Sequence, residues 1–138
     1  MIAGNIADPA YFQSEIRPHI DDGLVTYIGE VDDGEKNRLL GHSSALLMPI
    51  EWEEPFGIVM AEAFACGTPV IGFARGSVPE VVHEGVNGFV VNTVDEAVKA
   101  VAKLPSIDRG VVRRDCEERF SCEAIVIAYE RLYREALA

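Results

Sequence analysis

Glu54-Pro55-Phe56-Gly57-Ile58-Val59-Met60-Ala61-Glu62 places two carboxylates around seven residues, and Ala63-Phe64-Ala65-Cys66-Gly67-Thr68-Pro69-Val70-Ile71 follows without a break. Pro55 pushes Glu54 towards extended backbone, so a helix is expected to begin after the proline. Gly67, with Pro69 just beyond, is the stop signal. Between them the helix is apolar on every side except at Glu62, and a helix without a polar face is expected to be buried. A lone carboxylate in such a helix is costly unless something pairs with it. Glu62 therefore reads as a ligand contact, the alternative being a core carboxylate held by a backbone N–H or an arginine.

Outward from this helix, short apolar runs alternate with helical patterns, which is the pattern of a parallel α/β sheet. Strands are expected at Met1–Ala3, Leu24–Ile28, Ala45–Pro49, Val70–Phe73 and Phe89–Val91. Helices are expected near Pro9–Pro18, from Asp32 or Asp33 to Leu40, and from Phe56 to Cys66. A short one over Val78–His83 would be capped by Ser77, with Glu80 completing a capping box. Another runs from Asn92 or Thr93 to Leu104, where Pro105 breaks it, and two amphipathic helices follow near Ile107–Phe120 and Cys122–Leu137. With no repeat, linker or low-complexity tract, the 138 residues read as one domain. The fold class is a Rossmann-like, doubly wound parallel sheet with helices on both faces. Only a few residues of strand follow Met1, so the first strand–helix unit of such a sheet is expected to be absent or to lie outside the chain.

A net charge of -11 argues against nucleic acid or an anionic membrane as partner. No apolar run reaches the roughly 18 residues of a membrane span, and the N-terminus lacks a secretory signal. Cys66, Cys116 and Cys122 form no metal-spaced cluster, which points to a reduced, cytoplasmic setting with Cys66 as a small core residue. Only four basic side chains (Arg17, Lys36, Arg38, Arg75) precede Lys99, so few cations are available to a phosphate ligand. The basic residues from Lys99 onward read as the solvated face of amphipathic helices.

The chemistry of the opening stretch follows from its geometry. At ~1.5 Å of rise per residue, Glu54 and Glu62 would lie about 10–12 Å apart. Between them the N–H groups from Gly57 to Val59 point out of the positive end of the helix dipole, a ready anion site. Gly57 lets a ligand approach the backbone closely. In an α/β sheet this terminus lies at the carboxyl edge of the strands, where ligands bind. Acid, anion cradle and acid in that order suit a ligand with hydroxyls at both ends and phosphate between, such as a nucleotide sugar.

These residues resemble the E-x7-E motif of retaining GT-B glycosyltransferases, family 4 (glycosyl transferases group 1) in particular. The likeness continues through Gly67–Ile71, Gly76–Val82, Gly85–Val91, Tyr27–Val31, Glu118–Ser121 and Tyr129–Tyr133. It covers essentially the whole chain and is similar to the C-terminal, donor-binding half of such enzymes. The resemblance implies that Glu62 binds ribose hydroxyls and that Glu54, the candidate catalytic carboxylate, binds those of the donor sugar. Phe56, Gly57 and Ile58 would shape the sugar and phosphate pocket, the amides of Ile58 and Val59 would meet the diphosphate, and Gly29, Glu30 and Val31 would lie along the nucleobase. It implies hexosyl transfer from a nucleoside-diphosphate sugar to a sugar or lipid-type acceptor, with retained configuration and without a metal or other cofactor. The Arg/Lys pair and the acceptor-binding N-terminal half of the family are missing, so the isolated chain is expected to fold without catalysing transfer, and self-association is an open possibility. The alternative reading is a non-catalytic module that binds a nucleotide sugar or acts as a scaffold.

Overall fold

In the computed structural model, which describes residues 1–138, the chain divides into two compact units, Met1–Arg38 and Leu39–Ala138.

In the first unit Asp8 accepts hydrogen bonds from the Ala10 and Tyr11 N–H groups and starts α1 (Pro9–Tyr11), with Pro9 preset for the first helical position. The same coil continues as a π-helical stretch, Phe12–Ile16, and a 3-10 turn, Arg17–His19. The strands expected at Met1–Ala3 and Leu24–Ile28 shrink to one parallel bridge, Ile2 with Tyr27. The cause is local. The Asp21 carboxylate accepts from the Gly23 and Val25 N–H groups, while the Val25 carbonyl accepts from Asp21 and Asp22. The turn thus consumes the polar groups that the start of a strand would need. Tyr27 anchors what remains, donating to the Gly4 carbonyl at 2.6 Å with its ring 4.9 Å from Phe12. No residue of this unit is fully buried.

The boundary between units falls within α2 (Asp33–His42), started by Asp32 and Glu35, whose carboxylates accept from each other's N–H groups. In the second unit β1 (Leu46–Met48), β2 (Val70–Phe73) and β3 (Gly88–Val91) form a parallel sheet in that order. Leu46 pairs with Val70 and Val70 with Gly88. β2 is central and buried along most of its length, as a continuous apolar run in a parallel sheet should be. β3 approaches so closely that a Cβ on Gly88 would collide with the Val70 carbonyl. Helices cover both faces: α3 (Ile58–Ala65), α4 (Val78–Val81), α5 (Val94–Val101), α6 (Arg109–Phe120) and α7 (Cys122–Ala136). The core joins Val70, Ile71, Phe89 and Val91 of the sheet to Met60, Ala63 and Phe64 of α3 and to Val78 and Val112.

Several expectations need correction. Helix α3 is not buried all round: Met60, Ala63 and Phe64 face the core, but Ile58 is 69% exposed and Glu62 half-buried. At about 100° per residue, Ile58 and Glu62 share the face opposite Met60 and Phe64. The Ser77–Glu80 capping box does not form, because Ser77 is itself helical in backbone and its hydroxyl donates to the Phe56 carbonyl at 2.8 Å. A capping interaction occurs instead at α5, where Thr93 Oγ1 accepts from the Glu96 N–H and the Glu96 carboxylate from the Asn92 N–H. That helix ends at Val101, and Pro105 lies in a separate 3-10 turn, Leu104–Ser106. Cys66 is only half-buried; the buried thiol is Cys116, whose pKa desolvation and the neighbouring Asp115 and Glu117 push up.

Nor is the C-terminal charge merely a solvated face. Helix α6 runs antiparallel to α3, pairing Gly67 with Arg109, Ala61 with Cys116 and Phe56 with Phe120. Along the way it sends arginines to the carbonyls that end three other helices, the negative poles of their dipoles. Arg109 donates to the carbonyls of Gly41, in the last turn of α2, and of Ser43 just after it, and to the Thr68 hydroxyl. Arg113 reaches Ala65 of α3, and Arg119 reaches Glu80 and Val81 of α4.

Candidate donor-binding site

The β1–α3 and β2–α4 connections leave the same carboxyl edge of the parallel sheet and are stitched together. The Gly76 N–H donates to the Glu53 carboxylate at 2.6 Å and the Ser77 N–H to the Glu54 carbonyl at 2.9 Å. Gly76 has φ +49, and a Cβ there would collide with the backbone of Glu54. The acidic loop Glu51–Glu54 is therefore held in place rather than left as a solvated tether. Trp52 projects from it 59% exposed.

Glu54 lies before α3, as Pro55 requires, and its Oε1 accepts from the Gly57 N–H at 3.1 Å. Gly57 has φ +70, a conformation that favours glycine, and a Cβ there would stand 2.9 Å from Cε at the flexible end of Met60. Its carbonyl accepts from the Met60 N–H. The predicted cradle narrows accordingly: the Gly57 amide is engaged by Glu54, which leaves Ile58 and Val59 as the first-turn amides for an anion. Glu62 follows one turn after Ile58 on the outward face of the helix.

The second unit thus gathers Glu54, Phe56, Gly57, Ile58, Val59 and Glu62 around one helix terminus. Gly29, Glu30 and Val31 belong to the first unit, where Gly29 has φ +76 and its carbonyl accepts from Gly4. A groove of about 810 Å³ lies elsewhere, between α6 and α7, lined by Ile127, Leu132 and Glu118 and by none of the motif residues. Arg75 is exposed at the end of β2, with its guanidinium 3.3 Å from its neighbour's carbonyl.

Two features escape sequence reasoning. One is Ser77 as a clamp on Phe56. The other is a polar cluster in which buried Asn87 donates to Asp115 at 2.7 Å, Arg119 donates to the same carboxylate at 3.1 Å, and His83 pairs with it at 3.0 Å. Burial alone would raise the Asp115 pKa, but the hydrogen bonds from Asn87 and Arg119 and the charges of Arg119 and His83 outweigh it and hold the carboxyl below its ordinary value. The buried Asn87 in the turn chemistry of Gly85–Gly88 was the one available signal.

The model of one protein family, described as glycosyl transferases group 1, matches residues 1–119. The chain belongs to that family. An N-acetyl-alpha-D-glucosaminyl L-malate synthase of Bacillus anthracis is 34% identical over 128 residues, covering 86% of this chain and 32% of the relative. A D-inositol 3-phosphate glycosyltransferase of Saccharomonospora viridis is 40% identical over 93 residues, 62% of this chain and 21% of the relative. Among solved structures, AviGT4, a glycosyltransferase involved in avilamycin A biosynthesis, superposes with a TM-score of 0.76 at 32% identity, covering 99% of this chain and 42% of that one. The Anabaena protein Alr3699/HepE, solved in complex with UDP-glucose, shares the fold at a TM-score of 0.74 and 19% identity, over 99% and 40% of the two chains. The chain spans a third or less of the length of these curated relatives. None of its helices is long and apolar enough to cross a membrane.

Proposed function

We propose that this segment supplies the donor site of a family 4 retaining glycosyltransferase, which moves a hexosyl group from a nucleoside-diphosphate sugar to a sugar or lipid-type acceptor. The observation that carries the reading is the α3 terminus itself: Glu54 before it, Glu62 a turn inside it, and the Ile58 and Val59 amides between, at the carboxyl edge of a parallel sheet. Glu62 takes the ribose hydroxyls. Glu54 takes those of the donor sugar through the acceptor capacity it does not spend on Gly57. The helix amides stabilise the charge that develops on the leaving diphosphate, a task for preorganised dipoles that calls for no metal. Phe56 and Gly57 shape the wall next to the sugar.

Trp52 is the sole tryptophan and lies two residues from Glu54, so its emission reports on the site. Titration with UDP-, GDP- and ADP-sugars is expected to change that emission for at least one donor, UDP-glucose being the first to try. Glu62→Ala is expected to abolish the response, and EDTA to leave it unchanged. A folded protein that binds none of these donors, by emission or by saturation-transfer NMR, overturns the reading.

A further inference from the structure

The block Glu118–Ser121 has no part in the donor reading, yet its Phe120 touches the donor site directly. The rings of Phe120 and Phe56 meet edge to face, centroids 5.6 Å apart at 79°, although the residues are far apart in sequence. The Arg119 guanidinium lies 4.6 Å from the centre of the Phe120 ring. The same guanidinium grips the Glu80 and Val81 carbonyls at the end of α4, both at 2.9 Å, and is steered by Asp115 at 3.1 Å. At the start of α4, Ser77 holds the Phe56 carbonyl. These contacts close on themselves. They run from the Phe56 carbonyl through Ser77, α4, Arg119 and Phe120 back to the Phe56 ring. Phe56 is thereby held at main chain and side chain together, and the next residue is Gly57, which sits in the left-handed region.

We propose that Phe120, backed by Arg119, is a positioning residue of the donor site: it fixes the Phe56–Gly57 segment and through it the wall facing the donor sugar. The ligand assignment rests on the function proposed above, whereas the brace is a property of the ligand-free protein, and one experiment separates them. The Gly57 amide is followed by NMR without ligand, and the 138-residue chain is then titrated with UDP-, GDP- and ADP-glucose and with the free diphosphates. Phe120→Leu is expected to shift the Gly57 amide and to weaken binding of the nucleotide-sugar about tenfold, while the free diphosphate changes by less than about twofold. Phe120→Tyr, which keeps the ring edge, is expected to restore both, and Phe56→Leu combined with Phe120→Leu to bind no more weakly than either single variant. An unmoved Gly57 amide, equal losses for sugar-bearing and sugar-free nucleotides, or additive single effects overturn the proposal. A Gly57 shift in a protein that binds no nucleotide sugar overturns the donor reading and leaves the brace standing.

Discussion

Asp115 shows how one carboxylate tunes the molecule. Its pKa is held below the ordinary value in the folded state, so the stabilisation is present above the unfolded pKa of about 3.9 and is lost as pH falls through the folded value. Replacing it with alanine strips a charged partner from Asn87 and Arg119 and is expected to cost about 2 kcal/mol at pH 7. The gap between denaturant titrations of wild type and Asp115→Ala should be constant above about pH 4 and narrow as pH is lowered below it; a gap that stays constant at low pH would show that the charge is not what matters. Gly76 makes a different demand. Left-handed backbone alone costs a non-glycine residue about 1–2 kcal/mol, and a Cβ at Gly76 also meets the Glu54 main chain. Gly76→Ala should therefore lose more than that figure in a urea titration, and a variant within about 0.5 kcal/mol of wild type would contradict the crowding.

Between elements, capping decides which helices stand by their own sequence. Thr93 accepts from the Glu96 N–H, so Thr93→Ala should destabilise by about 1 kcal/mol in thermal melts. Ser77→Ala removes no cap from α4. It frees the Phe56 carbonyl instead, and its effect should appear in donor affinity as well as in the melting temperature. This contrast marks what the sequence could convey. The helix from Pro55 to Gly67, the three strands of the second unit and the glycine-bounded turns were legible because proline, glycine and apolar runs act locally. The outward face of α3 was not, because Ile58 and Ala65 are apolar yet exposed, and periodicity cannot assign a face to a helix with so little polar contrast. The arginines of α6 were misread for a related reason. Their spacing suits a solvated surface, and only tertiary packing reveals that Arg109, Arg113 and Arg119 end three neighbouring helices. The placement of Glu54, Gly57 and Glu62 about the α3 start was legible through the constraints of Pro55 and the helix start, while the contacts of Ser77 and Phe120 with Phe56 come from far along the chain.

The molecule as a whole is uneven in stability. Every fully buried side chain lies in Leu39–Ala138, and none lies in Met1–Arg38. Regions without buried apolar contacts open at low free-energy cost. Amide hydrogen exchange should accordingly be fast across residues 1–38 and slowest in β2 and α3, and comparable protection in both units would refute this division. Arg109 leads to a consequence of another kind. Its guanidinium joins carbonyls 66 and 68 residues away in sequence and a hydroxyl 41 residues away. Contacts of such span carry a large loop-closure cost, and they are expected to form after the folding transition state. Arg109→Met should therefore leave the refolding rate nearly untouched while accelerating unfolding, lifting one arm of the chevron alone. On that expectation, the residue that ties the start of α6 to the end of α2 governs how long the fold lasts rather than how quickly it is reached.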